Sequence, residues 1–188
     1  MMKPKANDRV AVPEILLKSR YEIGRKSILL IFALSLVNTA NVLFGGTEYY
    51  IYTSSIPYYF AYNASYLTGK LPTEYYFDWP ETLPFFDMSE YWVRAIPSVL
   101  IIFLFLAVFW LAKKPRPILM AAMTFYVIVD IIFRFVVFKF GTGGIIEIMF
   151  AICMIIALGN SVINGFKLKK VPPQSDDIQE GEEIIEAE

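Results

Sequence analysis

The chain has 188 residues, of which 56% are hydrophobic and 19% charged, against roughly 45–50% and 25% in soluble domains. A soluble fold of this size leaves much of its area wet and has nowhere to hide so much apolar surface, so the chain belongs in a bilayer. A net charge of −1, no histidine and a single cysteine exclude a broadly basic nucleic-acid surface, an intrachain disulfide, a Cys/His zinc site and a Ser-His-Asp triad.

Residues 1–26 read as a polar tail of mixed charge, with a short apolar patch from Val10 to Leu17 broken by Pro13. The tail either lies on the inner leaflet or is frayed. The first stretch that can cross a membrane runs from Ser27 to Phe44 and stops at Gly45-Gly46. A span needs roughly 17–25 mainly apolar residues. Its leader is long and no Ala-x-Ala site follows, so it reads as an uncleaved span. Asn38 and Asn41 fall about 9 and 5 Å below its outer end, at about 1.5 Å per helical residue.

Residues 47–94 form a large segment on the other side of the membrane, with 16 of the chain's 31 aromatic residues. Within it, Ser54-Ser55-Ile56-Pro57 reads as a helix start with a capping hydroxyl and an early proline, and Gly69 as the stop. Such a helix is too short to span and suits an interfacial or re-entrant piece. The spacing puts Ile56, Phe60, Ala64 and Leu67 on one face, expected to meet apolar surroundings, and Tyr58, Tyr62 and Tyr66 on a second stripe. Tyr58, Tyr59, Phe60, Tyr62 and Tyr66 form an aromatic patch. Two readings stay open for it: a belt that anchors the protein at headgroup level, or a cap that binds a ligand, lipid or partner. The stretch from Leu71 to Met88, rich in proline and acids, reads as loop.

Three further spans follow, at about 95–112, 118–138 and 145–163, the first of these with Pro97 in its opening turn. None shows the alternation of a barrel strand, and lipid-exposed backbone otherwise demands helix. Lys and Arg number thirteen in the two termini and the KKPRP connection, against three in the other connections. Both ends are therefore expected in the cytoplasm. Residues 171–188, acidic after Pro172-Pro173, read as a disordered cytoplasmic tail.

Asp130 and Arg134 in the third span and Glu147 in the fourth are costly in lipid and so are candidate functional residues. The i, i+4 spacing of Asp130 and Arg134 predicts a salt bridge, with Glu147 as a third member. Together with Asn38 and Asn41 they make a polar cluster in the outer half of the bundle. It is either interhelical glue or the lining of a small outward-facing vestibule. Ala157, Ser161 and Gly165 repeat small residues at spacing four, which suits close helix contact or dimerisation. Cys153, Met149 and Met154 read as packing residues.

The block NTANVLFGGTEYYIYTSSIPYYFAYNASYLTGK (Asn38 to Lys70), the following PTEYY, and the ending VINGFKLKKVPP before an acidic tail resemble small four-helix membrane proteins of Gram-positive anaerobic bacteria. The resemblance implies an architecture and a bacterial plasma membrane but no activity, and it transfers no functional residue. The expectation is an all-α, four-span protein with both ends inside. It comprises a tail at 1–26, a transmembrane domain at 27–170 and an acidic tail at 171–188. No catalytic residue, cofactor or metal is expected, because no Cys-x-x-Cys, Gly-rich phosphate loop or clustered carboxylate motif is present. Its partners would be membrane lipids and a protein partner or second copy, with no nucleic acid. The leading reading is a non-enzymatic accessory subunit or lipid-facing scaffold. The alternative is a small transporter or channel component using Asn38, Asp130, Arg134 and Glu147.

Overall fold

A computed structural model describes residues 14–47, 54–80, 84–138 and 144–170. The expectations for the leader up to residue 13, the connection at 139–143 and the tail after residue 170 lie outside these residues. The chain forms α1 (Glu14–Leu43), α2 (Ser55–Leu67), a 3-10 turn (Thr73–Tyr76), α3 (Met88–Leu111), α4 (Pro117–Phe138) and α5 (Gly144–Leu168). There is no strand among the described residues. Four of the helices, α1, α3, α4 and α5, are long and apolar enough to cross a membrane.

Helix α1 begins thirteen residues before Ser27, inside what reads as a tail. The reason is a stripe that does not stop at the basic residues. Leu17, Tyr21, Gly24, Ile28, Ile31, Ser35, Asn38 and Val42 are all buried and recur at spacings of three and four, which keeps them on one helical face. The charged residues between them pair locally, Glu14 with Lys18 at 2.7 Å and Glu22 with Arg25 at 2.8 Å, and Arg25 also lies over the Phe109 ring of the α3 helix. Both helix stops expected at glycine are present as Schellman motifs, in which two amides fold back onto the last free carbonyls. After α1, Gly46 N–H donates to Asn41 O and Gly45 N–H to Val42 O, with Gly45 at φ +85°. After α2, Lys70 N–H donates to Ser65 O and Gly69 N–H to Tyr66 O.

Helix α3 also starts early, because Asp87 accepts hydrogen bonds from the Ser89 and Glu90 amides at 3.0 and 3.2 Å and so caps it. These bonds hold the Asp87 carboxyl below its ordinary range, the Ser89 hydroxyl contributing most. Pro97 consequently lies in the helix interior, not in a first turn.

The inner core joins α1, α3, α4 and α5 through Tyr21, Ile28, Ile31, Phe105, Met120, Val127, Met154 and Leu158. Tyr21 also organises the KKPRP turn. Its hydroxyl donates to Ala112 O at 3.0 Å and accepts from Arg116 N–H at 3.1 Å. The small-residue repeat on α5 is spent within the chain. Ser161 Oγ donates to Tyr21 O at 2.9 Å, and Gly165 faces the Tyr21 ring. Cys153 and Met149 are exposed, not packed, whereas Met154 is buried.

A Cβ on Gly24 would collide with Ser161 Oγ and stand 2.7 Å from Ala157 O. The second atom is backbone and cannot swing aside. Gly24→Val is therefore expected to destabilise the detergent-solubilised protein by roughly 1–3 kcal/mol, read as a lower melting temperature. At the half-buried helical Gly159 an added Cβ meets nothing within 4 Å, so Gly159→Ala is expected to be neutral or stabilising.

Candidate functional site: a carboxylate clamp beneath an aromatic cap

Helix α2 stands beside the last turns of α1. At its lower end Ser54 N–H donates to Ser35 Oγ at 2.9 Å, and at its upper end Ser65 Oγ donates to Val42 O at 2.7 Å. Ser35 lies eight residues before Leu43, so α2 starts about 12 Å below the end of α1 and climbs alongside it. The helix is therefore inserted among α1, α3 and α4, with α3 its main neighbour.

The buried face of α2 is Ser55, Pro57, Ala61, Ala64 and Ser65. Of the face expected to meet apolar surroundings, Ala64 is buried here and Ile56, Phe60 and Leu67 are half-buried. A short helix wedged between longer ones needs small residues at the contact so that backbones can approach. The large side chains are displaced outward.

A helix inserted by its N-terminus brings free N–H groups into a poorly hydrated place. Pro57 has none, so the amides of Ser55 and Ile56 remain. Both are taken by Asp130 of α4, Ser55 N–H donating to Oδ2 at 2.9 Å and Ile56 N–H to Oδ1 at 3.0 Å. Ser54, the expected cap, makes no side-chain cap hydrogen bond. Its hydroxyl instead donates to Asp130 Oδ1 at 2.8 Å, which leaves Tyr126 Oη, 2.6 Å away, to donate to Ser54. Asp130 is 2% exposed. A carboxylate at a helix N-terminus also gains from the helix dipole, by up to about 2 kcal/mol in partly buried geometry. Asp130 is thus a cap supplied by a different helix.

Arg134 pairs with Glu147 across α4 and α5. The expected Asp130–Arg134 salt bridge is corrected accordingly: Arg134 serves the α4–α5 contact, and Asp130 serves α2. Asn38 is fully buried on α1, three residues beyond Ser35 on the same stripe. Asn41 is half-buried and packs where a Cβ on Gly46 would stand. Ser35, Ser54, Ser55 and Tyr126 belong to the site but were not singled out as such. Tyr126 carried a signal, since it lies four residues before Asp130 and hence on the same face.

Above the clamp the aromatic stripe is continuous. Tyr58 stacks with Tyr62 at 6.4 Å between centroids, Tyr62 with Tyr66 at 5.8 Å and Tyr66 with Tyr76 at 5.2 Å. Phe85 then meets Tyr76 at 4.8 Å and Trp79 at 5.0 Å. Tyr59 leaves the stripe to meet Phe133 of α4 edge-on at 5.4 Å, and Phe60 packs edge-on against Tyr59. The Tyr76 hydroxyl accepts from Leu71 N–H and donates to Ser65 O, tying the loop to α2.

No protein-family model matches this chain, and neither the curated proteins nor the solved structures contain a match to it.

Proposed function

We propose that this is a non-enzymatic, multi-pass plasma-membrane protein that works by interaction, as an accessory subunit or lipid-facing scaffold presenting a fixed aromatic cap. In this reading both ends and the KKPRP turn are cytoplasmic. Helix α2 is a re-entrant piece on the outer side, and the membrane is a bacterial cell membrane. The observation that carries the reading is the saturation of Asp130. Its two oxygens accept three hydrogen bonds from the start of α2, and Arg134 is neutralised by Glu147. Charges used in this way hold helices together and leave the cap rigid, which suits a surface made to be recognised.

Copurification from native membranes in mild detergent tests the function. A protein partner at fixed stoichiometry, lost when Tyr75 and Phe77 on the exposed cap are both changed to Ser, is the expected result. Substrate-dependent transport by the purified protein in liposomes, abolished by Asp130→Asn, would instead establish the channel or transporter reading. For the topology, a cysteine at Lys114 is expected to resist an impermeant maleimide in intact cells and one at Asp78 to label, with Cys153 replaced by Ser. The opposite labelling would invert the orientation.

A further inference from the structure

A groove of about 170 Å³ runs down the outward faces of α1 and α3, walled by Leu36, Thr39, Ala40, Tyr91, Val99 and Phe103. It is apolar along its length, with a charge at its mouth. At the top, the ammonium of Lys70 sits 3.3 Å over the ring of Tyr91. Among the described residues this ammonium makes no ion pair. Lower down, Thr39 contributes to the wall, but its hydroxyl is covered by the protein.

A cation at the mouth above an apolar channel matches the order of charge and hydrocarbon in an anionic glycerophospholipid. We propose that the α1–α3 groove binds one anionic phospholipid of the leaflet on the α2 side. Its phosphate rests at Lys70, and an acyl chain lies along Leu36, Val99 and Phe103. The anionic headgroup is selected because the mouth offers a cation with no carboxylate paired to it among the described residues, and one basic residue near a headgroup favours anionic over neutral lipid by about fivefold. The proposal rests on the placement of these helices in a bilayer, and on nothing about a protein partner.

Native mass spectrometry of the full chain, released from nanodiscs holding equal phosphatidylglycerol and phosphatidylcholine, tests it. The expected result is one retained phosphatidylglycerol per chain, preferred about fivefold. Lys70→Gln should remove the preference and Lys70→Arg restore it, since the charge and the ring contact both survive in arginine. Ala40→Phe, which fills the groove, should abolish retention. Equal retention of both lipids by the wild type, or retention unchanged in Ala40→Phe, would overturn the proposal, as would a second copy of the chain in place of lipid. Alkaline carbonate extraction of cell membranes separates the two ways of failing. A chain that stays in the membrane yet retains no lipid loses the groove proposal alone, whereas a chain released by carbonate loses the membrane placement as well.

Discussion

Asp130→Leu is expected to lower the stability of the detergent-solubilised protein by about 4 kcal/mol, and its melting temperature by about 10 °C. Three donors at the start of α2 lose their acceptor at once, namely Ser54 Oγ and the amides of Ser55 and Ile56. Each buried donor left unmade costs roughly 1–3 kcal/mol. The sum is not fully realised, because α2 can draw back and let water reach its end. Asp130→Asn keeps the shape but turns one acceptor into a donor that faces other donors, so it is expected to recover less than half of the loss. Differential scanning fluorimetry on the two variants checks both values. A change below about 1 kcal/mol in Asp130→Leu would mean that α2 does not depend on this carboxylate.

The second large effect is expected at Arg134 and Glu147. Removing either partner strands a charge between α4 and α5, at roughly 3–5 kcal/mol, while replacing both with apolar groups can be nearly neutral. Arg134→Leu and Glu147→Leu should each melt well below wild type, and the double variant should recover most of the loss. Glu147→Leu is expected to be the harsher single change only if Arg134, with 27% of its side chain exposed, fails to reach water. The same cycle run on Asp130 and Arg134 should show the smaller coupling. Strong coupling there, with additive losses at Arg134 and Glu147, would restore the pairing that helical spacing alone suggests.

That reversal marks where sequence reasoning runs out. Spacing of four puts Asp130 and Arg134 on one face and invites a pair within the helix. What decides their partners is tertiary. An inserted helix start needs an acceptor more than Arg134 does, and Glu147 stands across from Arg134 on the next helix. Neither fact has a local signature. The elements themselves were legible where a single principle governs them. Four apolar runs became four long helices, Gly45 and Gly69 ended α1 and α2, and Tyr58, Tyr62 and Tyr66 stacked as their spacing required. Helix starts were read late where charges interrupt the apolar run. The stripe Leu17, Tyr21, Gly24 and Ile28 was present in the supposed tail but masked by the Lys and Arg residues between. The buried face of α2 had no strong apolar signal in the sequence, because a wedge between helices selects alanine, serine and proline.

The central claim is that Asp130, reaching from α4, holds the N-terminal end of α2 inside the bundle. Hydrogen–deuterium exchange of the protein in nanodiscs tests it most directly, through peptides covering residues 54–67. The account predicts slow exchange there in the wild type and fast exchange in Asp130→Asn, with peptides from α1, α3, α4 and α5 unchanged. Fast exchange over 54–67 in the wild type, or equal protection in both proteins, would contradict it.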